Sequence, residues 1–325
     1  MRDIPGDLRE QGEPTMGQWL HDATMVLEFV PPPKRLGREG LEQRLGRLER
    51  LLEECAFDAV NLPEIREEES RSDDGERTTP FEPRFPSREI ALEIRRRFGI
   101  PAIVNHVVAG RPRRDFIRWV RETHERYGVE DFVLVGPAKR SEARVGPTVP
   151  EANEIIRGIL PTETTVGNIC IPGRTSAGVD EAERMEAKAR SGVDFFTTQI
   201  VYHSTPCLQL LGDLAARSPL AGRAPILVSL CPLRRKESIR FLRWLGVELD
   251  EPTAERLTAD PDAVLERSID YLIEVWRRIR EGASRHRSAN PLGLNIAPVG
   301  PMPRSATVAL ARALTSAEPE AERNV

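Results

Sequence analysis

An apolar run, Met25-Val26-Leu27-Glu28-Phe29-Val30, carries one carboxylate and is stopped by Pro31-Pro32-Pro33. Desolvation among such neighbours disfavours the charged form of an acid, which brings its pKa toward neutrality and suits it to donate a proton. Its plain alternative is a structural ion pair with an arginine. Other polar residues break apolar runs in the same way: Asn105 and His106 in 100–108, Gln199 and Tyr202 in 194–202, and Asn295 in 292–299, while Glu64 and Arg174 stand at the ends of theirs. Each also has a structural reading. His106 could be a core histidine bonded to a carbonyl, Gln199 could serve backbone groups of a neighbouring strand, Tyr202 with His203 could form a loop wall, and Lys188 could be a solvated helix residue. The histidines show no H-x-H or H-x-x-x-H spacing, so no metal is expected.

The elements that must position these residues form a series. Apolar stretches at 25–30, 58–64, 100–108, 131–137, 166–174, 194–202, 225–233 and 292–299 read as strands. Those at 100–108 and 131–137 are almost wholly apolar over five or more residues, as parallel strands buried on both faces are. Helical periodicity follows most of them, at 39–55, 88–98, 114–127, from about 150, 180–191, 204–211, 238–245 and 305–314. A further helical stretch at 253–282 reads as an insertion before strand eight. Eight strand-helix units predict a single-domain α/β protein, a (β/α)8 TIM barrel over 21–316, with a flexible N-terminal arm at 1–20 and a polar tail at 317–325. An open doubly wound sheet is disfavoured, because no G-x-G-x-x-G follows the first strand. In a barrel the strand ends meet at one rim, which would gather Glu28, His106 and Gln199.

Composition narrows the function classes. Lys+Arg 47 against Asp+Glu 51 gives a net charge of -4 and no field for nucleic acid. Cys55, Cys170, Cys207 and Cys231 are widely spaced, which favours buried thiols and a cytoplasmic location. No apolar run reaches the roughly 18 residues of a membrane span, and the first residues lack the order of a signal peptide. The long acidic loop 65–86 reads as functional or disordered, with 67–76 a docking surface if the chain is a partner subunit.

Several of these residues together resemble a known family. Leu27-Glu28-Phe29-Val30-Pro31-Pro32, Asn105-His106, Gly136, and the stretch Lys188-Ala189-Arg190-Ser191-Gly192-Val193-Asp194-Phe195-Phe196-Thr197-Thr198-Gln199 are similar to methylenetetrahydrofolate reductase, in order over 24–314. The resemblance implies a flavoprotein oxidoreductase of one-carbon metabolism and methionine biosynthesis. Such enzymes reduce 5,10-methylenetetrahydrofolate to 5-methyltetrahydrofolate with NAD(P)H through FAD. It implies Glu28 as the acid that opens the folate's five-membered ring, and Gln199, with Asn105 and Tyr202, as folate contacts. His106 would lie near the flavin and Lys188 would reach its phosphates, with Gly136, Arg174 and Arg184 completing the cofactor site. Where the family reads Arg-Gly-Asp after strand four, this chain reads Val135-Gly136-Pro137. That difference keeps two alternatives open: a flavin-free folate barrel acting in methyl or direct hydride transfer, and a non-catalytic partner subunit. Assembly into a homo-oligomer also stays open.

Overall fold

Eight short strands pair in parallel, each with the next in sequence, and the last returns to the first. They are β1 Met25–Glu28, β2 Ala59–Leu62, β3 Ala102–Val107, β4 Asp131–Val135, β5 Thr165–Cys170, β6 Phe195–Thr198, β7 Ile226–Leu230 and β8 Leu292–Ile296. Closure runs through Leu27 opposite Ile296 and Val26 opposite Asn295. This computed structural model describes residues 19–67, 75–77, 80–137, 145–175, 178–300 and 302–316. Most of the expected arm, the polar tail and the acidic part of the loop after β2 lie outside them.

Strand alternation divides the core into two layers. Val26, Ala59, Ile103, Val133, Phe195 and Leu227 point inward and fill the lower barrel. Their neighbours, among them Leu27, Val60, Val104, Phe132, Phe196 and Val228, point outward against the helices. Gly167 on β5 leaves room for the Phe195 ring, which would lie 2.3 Å from any Cβ placed there. The floor is closed by Trp19, whose ring meets Phe195 edge-on at 5.4 Å and whose Nε1 donates to Asp131 Oδ1 at 2.9 Å. The barrel therefore begins ahead of the sequence boundary at residue 21. Trp19 is an aromatic with a buried place rather than part of a loose arm.

The outer ring consists of α1 Gly37–Glu54, α2 Ser87–Phe98, α3 Arg113–Tyr127, α4 Val149–Ile159, α5 Glu181–Arg190, α6 Ser204–Arg217, α7 Ser238–Trp244, α8 Glu251–Thr258, α9 Val264–Arg285 and α10 Arg304–Ser316. A capping box between Thr148 and Glu151 starts α4. Left-handed glycines, Gly99 and Gly128, end α2 and α3.

One expectation is corrected in this ring. The stretch 253–282 is two helices, and the longer, α9, packs between α6 and α10 as the barrel helix between β7 and β8. Its stripe of Leu272, Val275, Trp276 and Ile279 is wide enough to cover the sheet. The added elements are the short α7 and α8, and the end of α7 reaches the rim of the barrel. Among the described residues, no helix is long and apolar enough to cross a membrane.

Candidate functional site at the barrel mouth

The C-terminal ends of the strands carry the polar residues, as the fold requires. Glu28 is the last residue of β1, and Val26 beneath it faces inward, so the alternation turns Glu28 into the barrel. By the same parity Asn61 on β2, Asn105 on β3, Thr197 on β6, Ser229 on β7 and Asn295 on β8 form the inner surface above the apolar layer. Register places Asn61 directly opposite Glu28, and the Asn61 amide donates to Glu28 Oε2 at 3.4 Å. Asn295 on the other side also helps to hold the Glu28 pKa down. Asn295 Nδ2 also donates to Ser229 Oγ at 3.0 Å, and Ser229 donates onward to the Thr198 carbonyl at 2.7 Å.

This network leaves acceptors unused. Asn61 Oδ1, Asn105 Oδ1 and Asn295 Oδ1 are buried and have no hydrogen-bond partner. An orphaned buried acceptor costs about 1–3 kcal/mol. Asn61 and Asn295 flank the half-buried acid and Asn105 shares their inward phase, so these oxygens are free to accept from a ligand. Burial pushes the Glu28 carboxyl up to about 7, against the hydrogen bonds from Asn295 and Asn61 that hold it down. Among the described residues no arginine pairs with Glu28. Near neutral pH the group exists in both protonation states, as a residue that gives and takes a proton must.

The other sequence candidates divide sharply. Asn105 falls on the inward face of β3, with its oxygen unpartnered. His106, one residue on, faces the helices: it is 1% exposed, stacks on Trp119 of α3 at 3.6 Å, and its Nδ1 lies 3.0 Å from Glu64 Oε2. Glu64 also accepts from the Val107 N–H at 2.7 Å. Its charge therefore belongs to that outer layer, where it meets the burial that lowers the His106 pKa. The expected gathering of Glu28, His106 and Gln199 is corrected on this point, because adjacent strand residues face opposite sides.

Gln199 stands at the rim, but both ends of its amide are committed: Nε2 donates to the Leu245 carbonyl at 3.0 Å and Oε1 accepts from the Ile200 N–H at 2.9 Å. It ties β6 to the end of α7. Tyr202 is buried in the wall, and its hydroxyl donates to the Cys231 carbonyl at 2.6 Å. Lys188, also buried, donates from Nζ to the Ile169 carbonyl at 2.7 Å. Arg184 and Arg174 lie 3.3 and 3.6 Å from the buried carboxylate of Glu181, at the start of the same helix. Gly136 follows β4 with Val149 as its near neighbour. Of the residues named for a flavin, Lys188 spends its ammonium on the Ile169 carbonyl and His106 faces α3 with its Nε2 unpartnered, while Arg174 and Arg184 lie partly exposed beside Glu181.

Asn61 and Ser229 are pocket residues that the sequence reading passed over. Their signal was parity with Glu28: a polar side chain inside a fully buried strand, on the inward phase set by Ala59 and by Leu227.

No protein-family model matches the chain, and no match is found among curated proteins. Solved structures do match. An uncharacterized protein from Clostridium thermocellum, which binds two copies of 5-methyl-5,6,7,8-tetrahydrofolic acid, is similar with a TM-score of 0.74 and 19% identity, over 91% of this chain and 96% of that one. A GH18 chitinase from Pseudoalteromonas aurantia is similar with a TM-score of 0.50 and 9% identity, over 91% of this chain and all of that one. At these identities the likeness is one of fold, and the fold is the (β/α)8 barrel.

Proposed function

We propose that the barrel mouth binds the pterin ring of a reduced folate, with Glu28 exchanging a proton at the nitrogen that carries the one-carbon unit. The observation that carries this reading is the set of three unpartnered asparagine oxygens of inward phase, two of them on residues that flank an acid that titrates near neutrality. A reduced pterin presents N–H donors at its 2-amino group, N3 and N8, which are what those acceptors lack. The Clostridium thermocellum structure, a barrel of the same kind with bound methyltetrahydrofolate, supports the choice of ligand class.

The chemistry follows from the acid. Opening the methylene bridge of 5,10-methylenetetrahydrofolate requires a proton at N10, and releasing a methyl group from N5 requires one at N5. A donor with a pKa of about 7 serves either. Among the readings open from the sequence, the flavin-free folate barrel is favoured, because Lys188 is spent on the Ile169 carbonyl and His106 faces the helices rather than the barrel mouth. Reduction with NAD(P)H remains the finer form of the proposal.

Titration calorimetry with 5-methyltetrahydrofolate tests the reading. Stoichiometric binding that weakens in Asn61→Leu is expected, and absence of binding to the wild type overturns it. Oxidation of NADPH dependent on 5,10-methylenetetrahydrofolate, assayed with and without added FAD, separates the reductase forms. Turnover that requires FAD would restore the flavin, and its absence in both arms would leave methyl transfer.

A further inference from the structure

Beside the rim, Arg77 and Arg84 of the loop after β2 each keep a buried donor without a partner. The segment Gly75-Glu76-Arg77 from the loop after β2 lies on α7. Glu76 Oε1 is 2.8 Å from Arg240, and the Glu76 N–H donates to the Arg240 carbonyl at 3.2 Å. A Cβ on Gly75 would stand 2.3 Å from that carbonyl, so only glycine permits the contact. This seating puts the Arg77 guanidinium over the rings of Trp244, at 4.9 Å, and Phe81, at 5.5 Å. Arg84 comes from the other end of the same loop. It pairs with Pro33, and its Nη1 donates to the Pro31 carbonyl at 2.7 Å.

Each guanidinium keeps a buried N–H side with no partner: Nη1 of Arg77 and Nε of Arg84. Arg77 and Arg44 both add to the burial that lowers the Arg84 pKa. Among the described residues, the acid that acts on Arg84 is Glu82, and it is also engaged by Arg35 at 2.7 Å. Like charges brought together with unspent donors are costly until an anion bridges them.

We propose that Arg77 and Arg84 form a carboxylate site that holds the glutamate tail of the folate. The inference rests on the reduced-folate reading of the mouth. Its position follows from the chain: Pro31 is three residues beyond Glu28, and an extended residue covers at most about 3.6 Å, so the Pro31 carbonyl lies within roughly 11 Å of the Glu28 backbone. The p-aminobenzoyl group separates pterin from glutamate by a comparable span. Leu245, next to Trp244, is the residue whose carbonyl Gln199 holds, which ties this site to the rim.

The test compares three probes on the full chain: 5-methyltetrahydrofolate, the tail-less 6-methyltetrahydropterin, and p-aminobenzoylglutamate. Arg77→Met and Arg84→Gln are each expected to weaken 5-methyltetrahydrofolate by about 10- to 100-fold, the effect of losing a charge-assisted pair. Tetrahydropterin affinity should not change, and it reports that the variants remain folded. Binding of p-aminobenzoylglutamate to the wild type should fall as salt rises. Equal affinities of the wild type for the folate and the tail-less pterin, or loss of both ligands together in the variants, would overturn the site. Failure of the wild type to bind either pterin would instead refute the reading of the mouth, and the tail site with it.

Discussion

The Asn61 amide on β2 donates to the Glu28 carboxylate on β1 at 3.4 Å, across the strand pair whose register sets these two residues side by side. The amide spends its nitrogen on the acid and is left with a buried oxygen that nothing among the described residues answers. Glu28 in turn has hydrogen bonds that favour its charged form and a burial that opposes it more strongly. The pair is organised for a third participant.

The acid should be visible in the pH dependence of stability. Its folded pKa of about 7 lies above the ordinary 4.5, so the native state binds more protons than the unfolded chain between those values. Stability from this group is full below about pH 4.5 and falls as pH rises to 7, by on the order of 3 kcal/mol at most. Glu28→Gln removes the loss. Urea unfolding should find the variant close to wild type at pH 5 and more stable than wild type at pH 8.

Asn105 carries an orphaned oxygen that serves no structural bond. Asn105→Leu should therefore leave the ligand-free protein as stable as wild type or raise its Tm, while weakening reduced-folate binding by about tenfold, the usual value of one hydrogen bond. Thermal unfolding and calorimetry on the same preparation check both halves.

Gln199 distinguishes a rim anchor from a ligand contact. Its amide bonds predict that Gln199→Ala costs about 1–2 kcal/mol and speeds hydrogen exchange in α7, which loses its tie at Leu245. Tetrahydropterin affinity should hold. A large loss of affinity with unchanged exchange in α7 would return Gln199 to the ligand.

The floor of the barrel depends on Trp19. Trp19→Ala removes the ring that meets Phe195 and leaves Asp131, whose carboxyl burial already pushes up to about 6, without its indole donor. A loss of about 3–5 kcal/mol is expected. Trp19→Phe keeps most of the packing and should cost about 1–2 kcal/mol, the share of the hydrogen bond. Chemical denaturation of the two variants separates these contributions.

FAD offers a separate check. With Lys188 bonded to Ile169, His106 enclosed by Glu64 and Trp119, and Arg184 beside Glu181, added FAD should keep the visible spectrum of the free cofactor. A stoichiometric shift on mixing would show a flavin site built from other residues.

Much of this molecule was legible in its sequence. Eight apolar runs, each followed by a helical period, imply a closed parallel barrel because parallel strands buried on both faces lose their alternation and need crossovers between them. Glu28 stood out for the same reason: a charge inside such a run has to be accommodated. What the sequence could not supply was the side on which each polar residue falls. Asn105 and His106 are neighbours in the chain, yet one falls on the inward face of β3 and the other lies beneath α3. Asn61 gained its meaning only from a partner 33 positions away. Composition and periodicity act locally and determined the elements. The phase of each strand about the barrel, the spending of Gln199, Tyr202 and Lys188 on distant carbonyls, and the meeting of Arg77 with Arg84 were decided by closure of the sheet, which brings together groups the chain keeps apart.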